Sequence, residues 1–152
     1  MSDSRGLIDT PIGPVGLDGE DSIAALNWGR AGTLRDGPVF DAASDQISEY
    51  FCGQRQSFDL PLAPAATPFQ EAFRAALCAI PYGHTRTYGE IAADLGISAQ
   101  AAGQACGANP IAIIVPCHRI LGASGLGGFS GGIGVETKVA LLRLEGAAGL
   151  LI

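Results

Sequence analysis

Apolar and polar residues alternate near the N-terminus of the chain, and the period then changes to that of a helix. The alternation from residue 10 to residue 28 predicts a β-hairpin with Asp18-Gly19 as its turn. From Val39 to Phe51 the apolar residues recur at helical spacing, and Gly53 predicts the end of that helix. This part of the chain therefore predicts a small antiparallel sheet with one helix.

Prolines interrupt the pattern between Leu60 and Ala66, a composition that disfavours both a helix and a central strand. We interpret this segment as a linker between an N-terminal α/β lobe, residues 1–62, and a mainly helical C-terminal lobe, residues 63–152. A chain of 152 residues is long enough for two such lobes.

Signals for helix starts dominate the C-terminal half. Thr67 precedes Pro68, a pattern typical of an N-cap and a first helical position, and Gln70 completes a capping box. This helix is expected to bury four apolar residues at helical spacing: Phe69, Phe73, Leu77 and Ile80.

Two short helices are predicted next. Thr87 and Glu90 form a capping-box pattern that opens the first helix, and Gly96 stops it. Ser98 is placed to cap the second, which covers residues 99–106. Two short helices joined by a glycine-containing turn match a helix-turn-helix, a common DNA-binding unit.

An apolar run, residues 111–115, leads from this unit to Cys117. A glycine-rich loop from Gly122 to Gly134 follows, but it lacks the Gly-Lys-Ser/Thr sequence of a nucleotide-binding loop. A closing helix is predicted from Glu136 to Glu145. The chemistry of this half is therefore expected around Cys117.

The charge is unevenly distributed. The net charge is −6, and residues 1–60 hold ten of the fifteen acidic residues against four arginines. Residues 61–152 hold five acidic and five basic residues. DNA-binding proteins usually present a basic face, so a neutral C-terminal half permits DNA binding without favouring it.

The four cysteines include no Cys-x-x-Cys pair, and the chain has two histidines, so no structural zinc site is expected. Cys52 and Cys78 lie in helical patterns and are predicted to be in the core. We expect neither a signal peptide nor a membrane span, and we expect a reducing, cytoplasmic setting.

Cys117, His118 and Arg119 form a compact group of reactive and charged residues. A cysteine is a useful nucleophile only as a thiolate, and a nearby base or positive charge lowers its pKa. His118 is the candidate base, and Glu145 is the candidate acid that orients the imidazole. The alternative is a buried structural thiol beside a surface histidine.

Ordered motifs over residues 67–146 resemble those of the O6-alkylguanine-DNA alkyltransferase family. They are Ile80–Ala92, Asn109-Pro110, Pro116–Arg119, Phe129–Gly132 and Leu141–Gly146, with a fainter echo in Thr10–Pro14. The resemblance implies an N-terminal lobe with a ribonuclease-H-like fold and a C-terminal lobe that carries a helix-turn-helix. It also implies a single-turnover transfer of an alkyl group from guanine in DNA to a cysteine.

The resemblance implies a role for each matching residue. Cys117 matches the alkyl acceptor, and His118 and Glu145 match a water-linked relay that makes it a thiolate. Asn109 matches the asparagine that joins the helix-turn-helix to the active-site strand. Tyr88 matches the tyrosine beside the rotated 3′ phosphate, which also donates a proton to guanine.

A second set of residues is implied to bind DNA or the extruded base. These are Gln100, Ala101 and Gly103 of the second short helix, Arg119 and Ile120 after the cysteine, Phe129 and Ser130 of the glycine-rich loop, and Lys138 of the closing helix. The base must leave the stack because its alkylated oxygen is out of reach inside the duplex. The implied partner is double-stranded DNA, contacted in the minor groove by a monomer that needs no cofactor or metal.

The chain departs from the family pattern at Gln100, where the family has an arginine that fills the gap left by the extruded base. Glutamine brings no charge and less reach, which predicts weaker DNA binding or slower base extrusion. Cys106 is expected to face the substrate pocket, as a small apolar filler or as the partner of Cys117 in a reversible disulfide.

Two other functions fit the same sequence less well. One is a lesion sensor that binds damaged bases without repairing them, but such relatives lack the acceptor cysteine that stands here at Cys117. The other is a thiol enzyme or redox sensor that has lost its use of DNA, which Gln100 and the net charge make conceivable.

Overall fold

The computed structural model describes residues 7–29, 36–122 and 134–147. The chain divides into two compact units, Met1–Pro64 and Ala65–Ile152. Within the described ranges, no helix is both long enough and apolar enough to cross a membrane.

The first unit contains an antiparallel hairpin of two strands, β1 (Val15–Gly19) and β2 (Ile23–Trp28). The predicted position of the turn is wrong. Asp18 and Gly19 are the last two residues of β1, and the chain reverses just after them, over residues 20–22. The strand register shifts between Asp18 and Gly19. Gly19 adopts a φ of 146°, and a Cβ there would lie 2.0 Å from the Ser22 carbonyl oxygen. Only glycine therefore fits at this shift in register.

The sheet extends on both sides of the hairpin. Ile8 bridges Val15, and Leu62 bridges Ile23 in parallel. The prediction of a linker beginning at Leu60 is therefore wrong for residues 61–63, whose backbone pairs with β2 through Pro61 and Ala63. The second of these pairings joins the Ala63 N–H to the Ile23 carbonyl over 2.8 Å.

One helix, α1 (Pro38–Phe51), completes the described part of this unit. Its buried side chains recur three or four residues apart, as an amphipathic helix requires: Phe40, Ala43, Ile47 and Tyr50. Gly53 follows with a φ of 78°, which confirms the predicted end. Cys52 caps this helix and is exposed, so its predicted place in the core is wrong.

The second unit begins with α2 (Pro68–Cys78), whose N-cap Thr67 accepts a hydrogen bond from the Gln70 N–H. Phe73 and Leu77 of this helix and Ile80 beyond it are buried. Phe69 is 41% exposed, contrary to the prediction, because it lies in the first turn before the buried stripe begins.

The helix-turn-helix is confirmed. The first short helix, α3 (Tyr88–Leu95), opens with a reciprocal capping box between Thr87 and Glu90 and ends at Gly96 in the left-handed region. Ser98 caps the second, α4 (Ala99–Gly107), through the Ala101 N–H. Alanine and glycine make up most of α4, so most of the side chains on this helix are small.

A two-stranded parallel sheet joins the start of the helix-turn-helix to the segment around Cys117. It pairs β3 (Arg86–Thr87) with β4 (Ile120–Leu121). Because α3 starts where β3 ends and β4 starts just after Cys117–Arg119, the pairing brings the first turn of α3 beside the cysteine. The closing helix is α5 (Val135–Leu144), which buries Thr137, Lys138, Leu141 and Leu142.

Candidate active site

The approach to Cys117 is a buried segment, Ile111–Val115, that folds as successive turns. These residues, expected as an apolar run that leads to Cys117, do not form a strand. Asn109 clamps both ends of the segment, since its Oδ1 accepts from the Ile111 N–H at 3.1 Å and its Nδ2 donates to the Val115 carbonyl at 3.0 Å. Ile113 between them adopts a φ of 72°, which excludes a regular strand.

Cys117 opens a short 3-10 turn, Cys117–Arg119, which we call the cysteine turn. The cysteine is 5% exposed. A hydrogen bond from the Cys106 thiol is the strongest influence that lowers the pKa of Cys117 below its ordinary value, and it outweighs the opposing effect of burial. The Asn109 amide and the positive charge of Lys138 lower this pKa further. The site therefore favours the thiolate, the form that acts as a nucleophile.

His118, the next residue of the cysteine turn, is fully buried and contacts Glu145 just beyond α5. A distance of 2.7 Å separates its Nε2 from Oε2 of Glu145. Its Nδ1 is buried and has no hydrogen-bond partner among the described residues. The Glu145 carboxylate thus orients the imidazole through Nε2 and leaves the buried Nδ1 available to accept a hydrogen bond.

Burial lowers the pKa of His118 below its ordinary value, and the charges of Arg119 and Lys138 lower it further, against the opposing influence of Glu145. A neutral imidazole has one N–H donor and one acceptor nitrogen. Since Nε2 faces a carboxylate, Nε2 carries the proton and Nδ1 is the acceptor. His118 is therefore arranged as a base.

Arg119 is buried, and its guanidinium holds the same carboxylate. Nε donates to Oε1 of Glu145 at 2.9 Å, Nη2 donates to Oε2 at 3.0 Å, and Nη1 donates to the Ile80 carbonyl at 2.7 Å. The guanidinium also lies 5.8 Å from the centre of the Tyr82 ring. These donors face the interior, where they position Glu145, and binding of DNA or the extruded base by Arg119 stays a prediction.

Lys138 lies in the interior rather than at a DNA surface, with no exposed area. Its Nζ is 5.9 Å from the centre of the Tyr88 ring. Burial lowers the pKa of Lys138, and the neighbouring sulfurs of Cys106 and Cys117 oppose that shift. Its charge acts on the two sulfurs and on the Tyr88 ring, and a role for Lys138 in binding DNA or the base stays a prediction.

Tyr88, at the start of α3, is half-buried beside the two cysteines. Burial raises the pKa of Tyr88 to about 12, and interactions with Cys106 and Cys117 add to this effect. Tyr88 therefore stays protonated at neutral pH. Cys106, in the last turn of α4, is buried, and its thiol donates to the Cys117 carbonyl at 3.5 Å.

The remaining predicted residues lie on and around α4. Gln100 is exposed near the start of the helix, whereas Ala101 and Gly103 are half-buried. A Cβ built at Gly103 would meet no atom within 4 Å, so that side of the helix is open. Ile120 is fully buried in β4. Phe129 and Ser130 lie outside the described residues.

Sequence reasoning missed the residues that anchor the arginine, Ile80 and Tyr82. Both lie in the motif Ile80–Ala92, which indicated the family but not the contact. It also placed Cys78 in the core, although Cys78 lies on the exposed side of α2.

Three of the five basic side chains of the second unit are buried or lie against an acidic group, whereas Arg143 is exposed and Arg74 is half-buried. Arg119 and Lys138 are buried, and the Arg86 guanidinium lies 2.6 Å from the Asp94 carboxylate. No group of three or more histidine, cysteine or acidic side chains within the described ranges could hold a metal ion.

Comparison with known proteins gives a consistent result for both units. Residues 68–147 match the family described as the DNA binding domain of 6-O-methylguanine DNA methyltransferase, and residues 4–64 match its ribonuclease-like domain. The chain is 46% identical to the methylated-DNA–protein-cysteine methyltransferase of Mycobacterium tuberculosis, covering 91% of this chain and 89% of the relative. It is 43% identical to the protein of the same name from Methanosarcina acetivorans, covering 93% and 97%.

Solved structures agree. The crystal structure of the Mycobacterium tuberculosis O6-methylguanine methyltransferase superposes with a TM-score of 0.81 at 45% identity, covering 95% of this chain and 94% of that one. The structure of Mycobacterium tuberculosis OGT in complex with DNA gives a TM-score of 0.81 at 46% identity, covering 94% of each chain. The chain therefore belongs to the 6-O-methylguanine DNA methyltransferase family.

Proposed function

We propose that the chain repairs DNA by moving an alkyl group from O6 of guanine onto Sγ of Cys117. The observation that carries the proposal is the buried Cys117 thiol, which has a lowered pKa and directly precedes the His118 held by Glu145. Relatives named methylated-DNA–protein-cysteine methyltransferase, at 46% and 43% identity, support this reaction.

The first step is formation of the thiolate. The neutral His118 accepts the thiol proton of Cys117 at Nδ1 through a bridging water. Glu145 accepts from Nε2 and stabilises the imidazolium that forms. The Asn109 amide and the Lys138 charge stabilise the sulfur anion inside a site of low polarity.

The second step is an in-line displacement. The Cys117 sulfur attacks the alkyl carbon, a C–S bond forms, and the bonding pair of the C–O bond passes to guanine. Tyr88 donates its hydroxyl proton to the departing base. The negative sulfur raises the pKa of Tyr88 before the reaction. The thioether product carries no charge, so this effect of the sulfur on the pKa of Tyr88 disappears as the C–S bond forms. Tyr88 thus becomes a stronger acid when the departing guanine must be protonated.

The third consequence is stoichiometry. A thioether has no good leaving group, so the site does not return to its starting state. The chain therefore acts once per molecule. We propose that it does so as a monomer and without a cofactor. We place it in the cytoplasm, at the nucleoid when bound to DNA, because an acceptor thiolate needs a reducing compartment.

Delivery of the base falls to the helix-turn-helix. We propose that α4 enters the minor groove, where Ala101 and Gly103 allow close approach and Gln100 faces the base left without a partner. The backbone carbonyls of Cys117 and Ile120 accept from the exocyclic amine of the extruded guanine. Phe129 and Ser130 belong to the loop proposed to cover that base, and residues 1–62 form the separate N-terminal lobe.

The test is intact-mass measurement after incubation with O6-benzylguanine, free and within a duplex oligonucleotide. One benzyl adduct per chain is expected, lost in Cys117→Ala and retained in the matched variant Cys52→Ala, whose cysteine is exposed. Tight binding of the modified duplex without an adduct would instead indicate a lesion sensor. Neither binding nor adduct would leave a thiol function that does not use DNA.

A further inference from the structure

The acceptor cysteine has a second buried cysteine beside it. Cys106 ends α4, and its thiol lies 3.5 Å from the carbonyl oxygen of Cys117. A separate hydrogen bond between the two side chains raises the pKa of Cys106 and lowers that of Cys117. The pair therefore favours the thiolate at Cys117 and the thiol at Cys106.

We propose that Cys106 and Cys117 are a modification site at which a peroxide closes a reversible disulfide. The pair lies on two separate elements, the last turn of α4 and the cysteine turn, eleven residues apart. It rests on the proposed function in one respect, that Cys117 is the alkyl acceptor which the disulfide withdraws from use.

The chemistry needs one equivalent of hydrogen peroxide. The Cys117 thiolate attacks one peroxide oxygen, an S–O bond forms, the O–O bond breaks, and hydroxide leaves. Cys117 is then a sulfenic acid. The Cys106 sulfur attacks the Cys117 sulfur, the S–O bond breaks, and the departing hydroxide takes the Cys106 proton to give water. Two thiols are oxidised, and one peroxide is reduced.

The arrangement assigns different roles to the two sulfurs. A thiolate is the form that reacts with peroxide, which selects Cys117 as the attacking sulfur. Cys106 contacts the Cys117 carbonyl and hydrogen-bonds with the Cys117 side chain, which places its sulfur beside a sulfenic acid formed there. Any route that admits an alkylated base to Sγ also admits the much smaller peroxide.

Disulfide closure would protect the acceptor. A sulfenic acid without a neighbouring thiol is oxidised further to sulfinic and sulfonic acids, which thiols do not reduce. A chain that carries out one reaction per molecule loses its whole function by that route. A disulfide preserves the sulfur until a thiol reductant opens it.

The experiment uses the full chain with both exposed cysteines replaced, Cys52→Ser and Cys78→Ser, after this background is shown to accept benzyl from free O6-benzylguanine. The protein is treated with hydrogen peroxide, blocked with N-ethylmaleimide under denaturing conditions and digested with trypsin. Cys106 and Cys117 fall in one tryptic peptide, residues 87–119, since no Lys or Arg lies between Arg86 and Arg119. Expected is a peptide lighter by two hydrogens that binds maleimide only after reduction.

The matched variants add Cys106→Ser or Cys106→Ala to that background. Peroxide is expected to abolish benzyl acceptance in all three proteins, and dithiothreitol to restore it only where Cys106 is present. A peptide 87–119 that keeps its two hydrogens in the Cys106 protein would overturn the proposal. So would loss of acceptance that dithiothreitol reverses equally in the variants. Absence of the benzyl adduct before peroxide would count against the proposed function instead, because the peptide mass is measured without substrate.

Discussion

His118 and Glu145 lie 27 residues apart in the chain, and 2.7 Å separates Nε2 of the imidazole from Oε2 of the carboxylate in the buried site. The same carboxylate receives two hydrogen bonds from Arg119. One acidic group thus holds a base in orientation while a cation offsets its charge. Removing it affects both the chemistry and the fold.

We expect Glu145→Gln to slow benzyl transfer about 100-fold or more, because the imidazole loses the group that orients it and stabilises its protonated form. The free energy of unfolding should fall by about 3–5 kcal/mol, the usual cost of leaving a buried charge, here Arg119, without its partner. Single-turnover kinetics and urea unfolding measure the two effects. Glu136→Gln, an exposed glutamate in the first turn of α5, is the control and should change neither.

Asn109→Ala and Lys138→Met should shift the pH dependence of transfer from free O6-benzylguanine toward higher pH. Both side chains lower the pKa of Cys117, so either change moves it back toward the ordinary 9.0. At a pH below that pKa the rate falls with the thiolate fraction, and the shift should be larger for Asn109, whose influence is larger. Arg143→Met removes an exposed cation from the same helix and should leave the profile in place. Superimposable profiles for all four proteins would contradict this account of the thiolate.

The stability of the chain should depend on pH through His118. Its pKa in the folded state lies below the ordinary 6.5, so as the pH falls below 6.5 the unfolded chain binds a proton that the folded chain does not. The free energy of unfolding therefore falls with decreasing pH down to the folded pKa, by up to about 1.4 kcal/mol per pH unit from this group. His118→Gln should flatten the curve in this window.

The control for this measurement is His84→Gln, since His84 is exposed and is the only other histidine. It should keep the slope of the parent chain. Equal slopes in all three proteins would mean that His118 binds protons equally well in the folded and unfolded states.

Gln100→Arg should speed transfer from duplex DNA and leave transfer from free O6-benzylguanine unchanged. The arginine adds charge and reach at the exposed start of α4, the position proposed to face the gap left by the extruded base. Gln104→Arg adds the same charge one turn further along the same helix. An equal gain in both variants would show a general electrostatic effect of the kind that salt suppresses, and not a role specific to position 100.

Gly103→Ala separates stability from DNA contact. The position is inside a helix, and an added Cβ meets nothing within 4 Å, so the change should stabilise the chain by about 0.5–1 kcal/mol. If α4 approaches the minor groove at this point, the methyl group should slow transfer from duplex DNA at the same time. Thermal unfolding and duplex single-turnover rates measure the two effects, with free O6-benzylguanine as the reference substrate. A stabilised protein with an undiminished duplex rate would show that DNA does not approach Gly103.

Local signals in the sequence were sufficient for the helix-turn-helix. Thr87, Glu90, Gly96 and Ser98 act on neighbouring backbone atoms, so their roles follow from residue types a few positions apart. The positions of His118 and Glu145 were predicted from the family resemblance, because residues 27 apart are joined only by the tertiary fold.

The errors arose where a distant contact decides the outcome. The partners of Arg119 were not predicted: its donors reach the Ile80 carbonyl, 39 residues away, and the Glu145 carboxylate. Residues 111–115 were predicted only as an apolar run, and their fold as turns, with Asn109 bonded to both ends, was not predicted. Neither partner of Arg119 is visible in a local pattern, because they lie 26 and 39 residues away.

The left-handed backbone at Ile113 ties the aim of the acceptor sulfur to the apolar core. A β-branched residue in that region costs on the order of 1–3 kcal/mol, and burial of its side chain holds it there. Cys117 follows four residues later. Loss of packing around Ile113 should therefore displace the sulfur before the rest of the fold is lost. The transfer rate should therefore decline on warming before any global unfolding is seen, because the rate depends on the local packing beneath the cysteine turn.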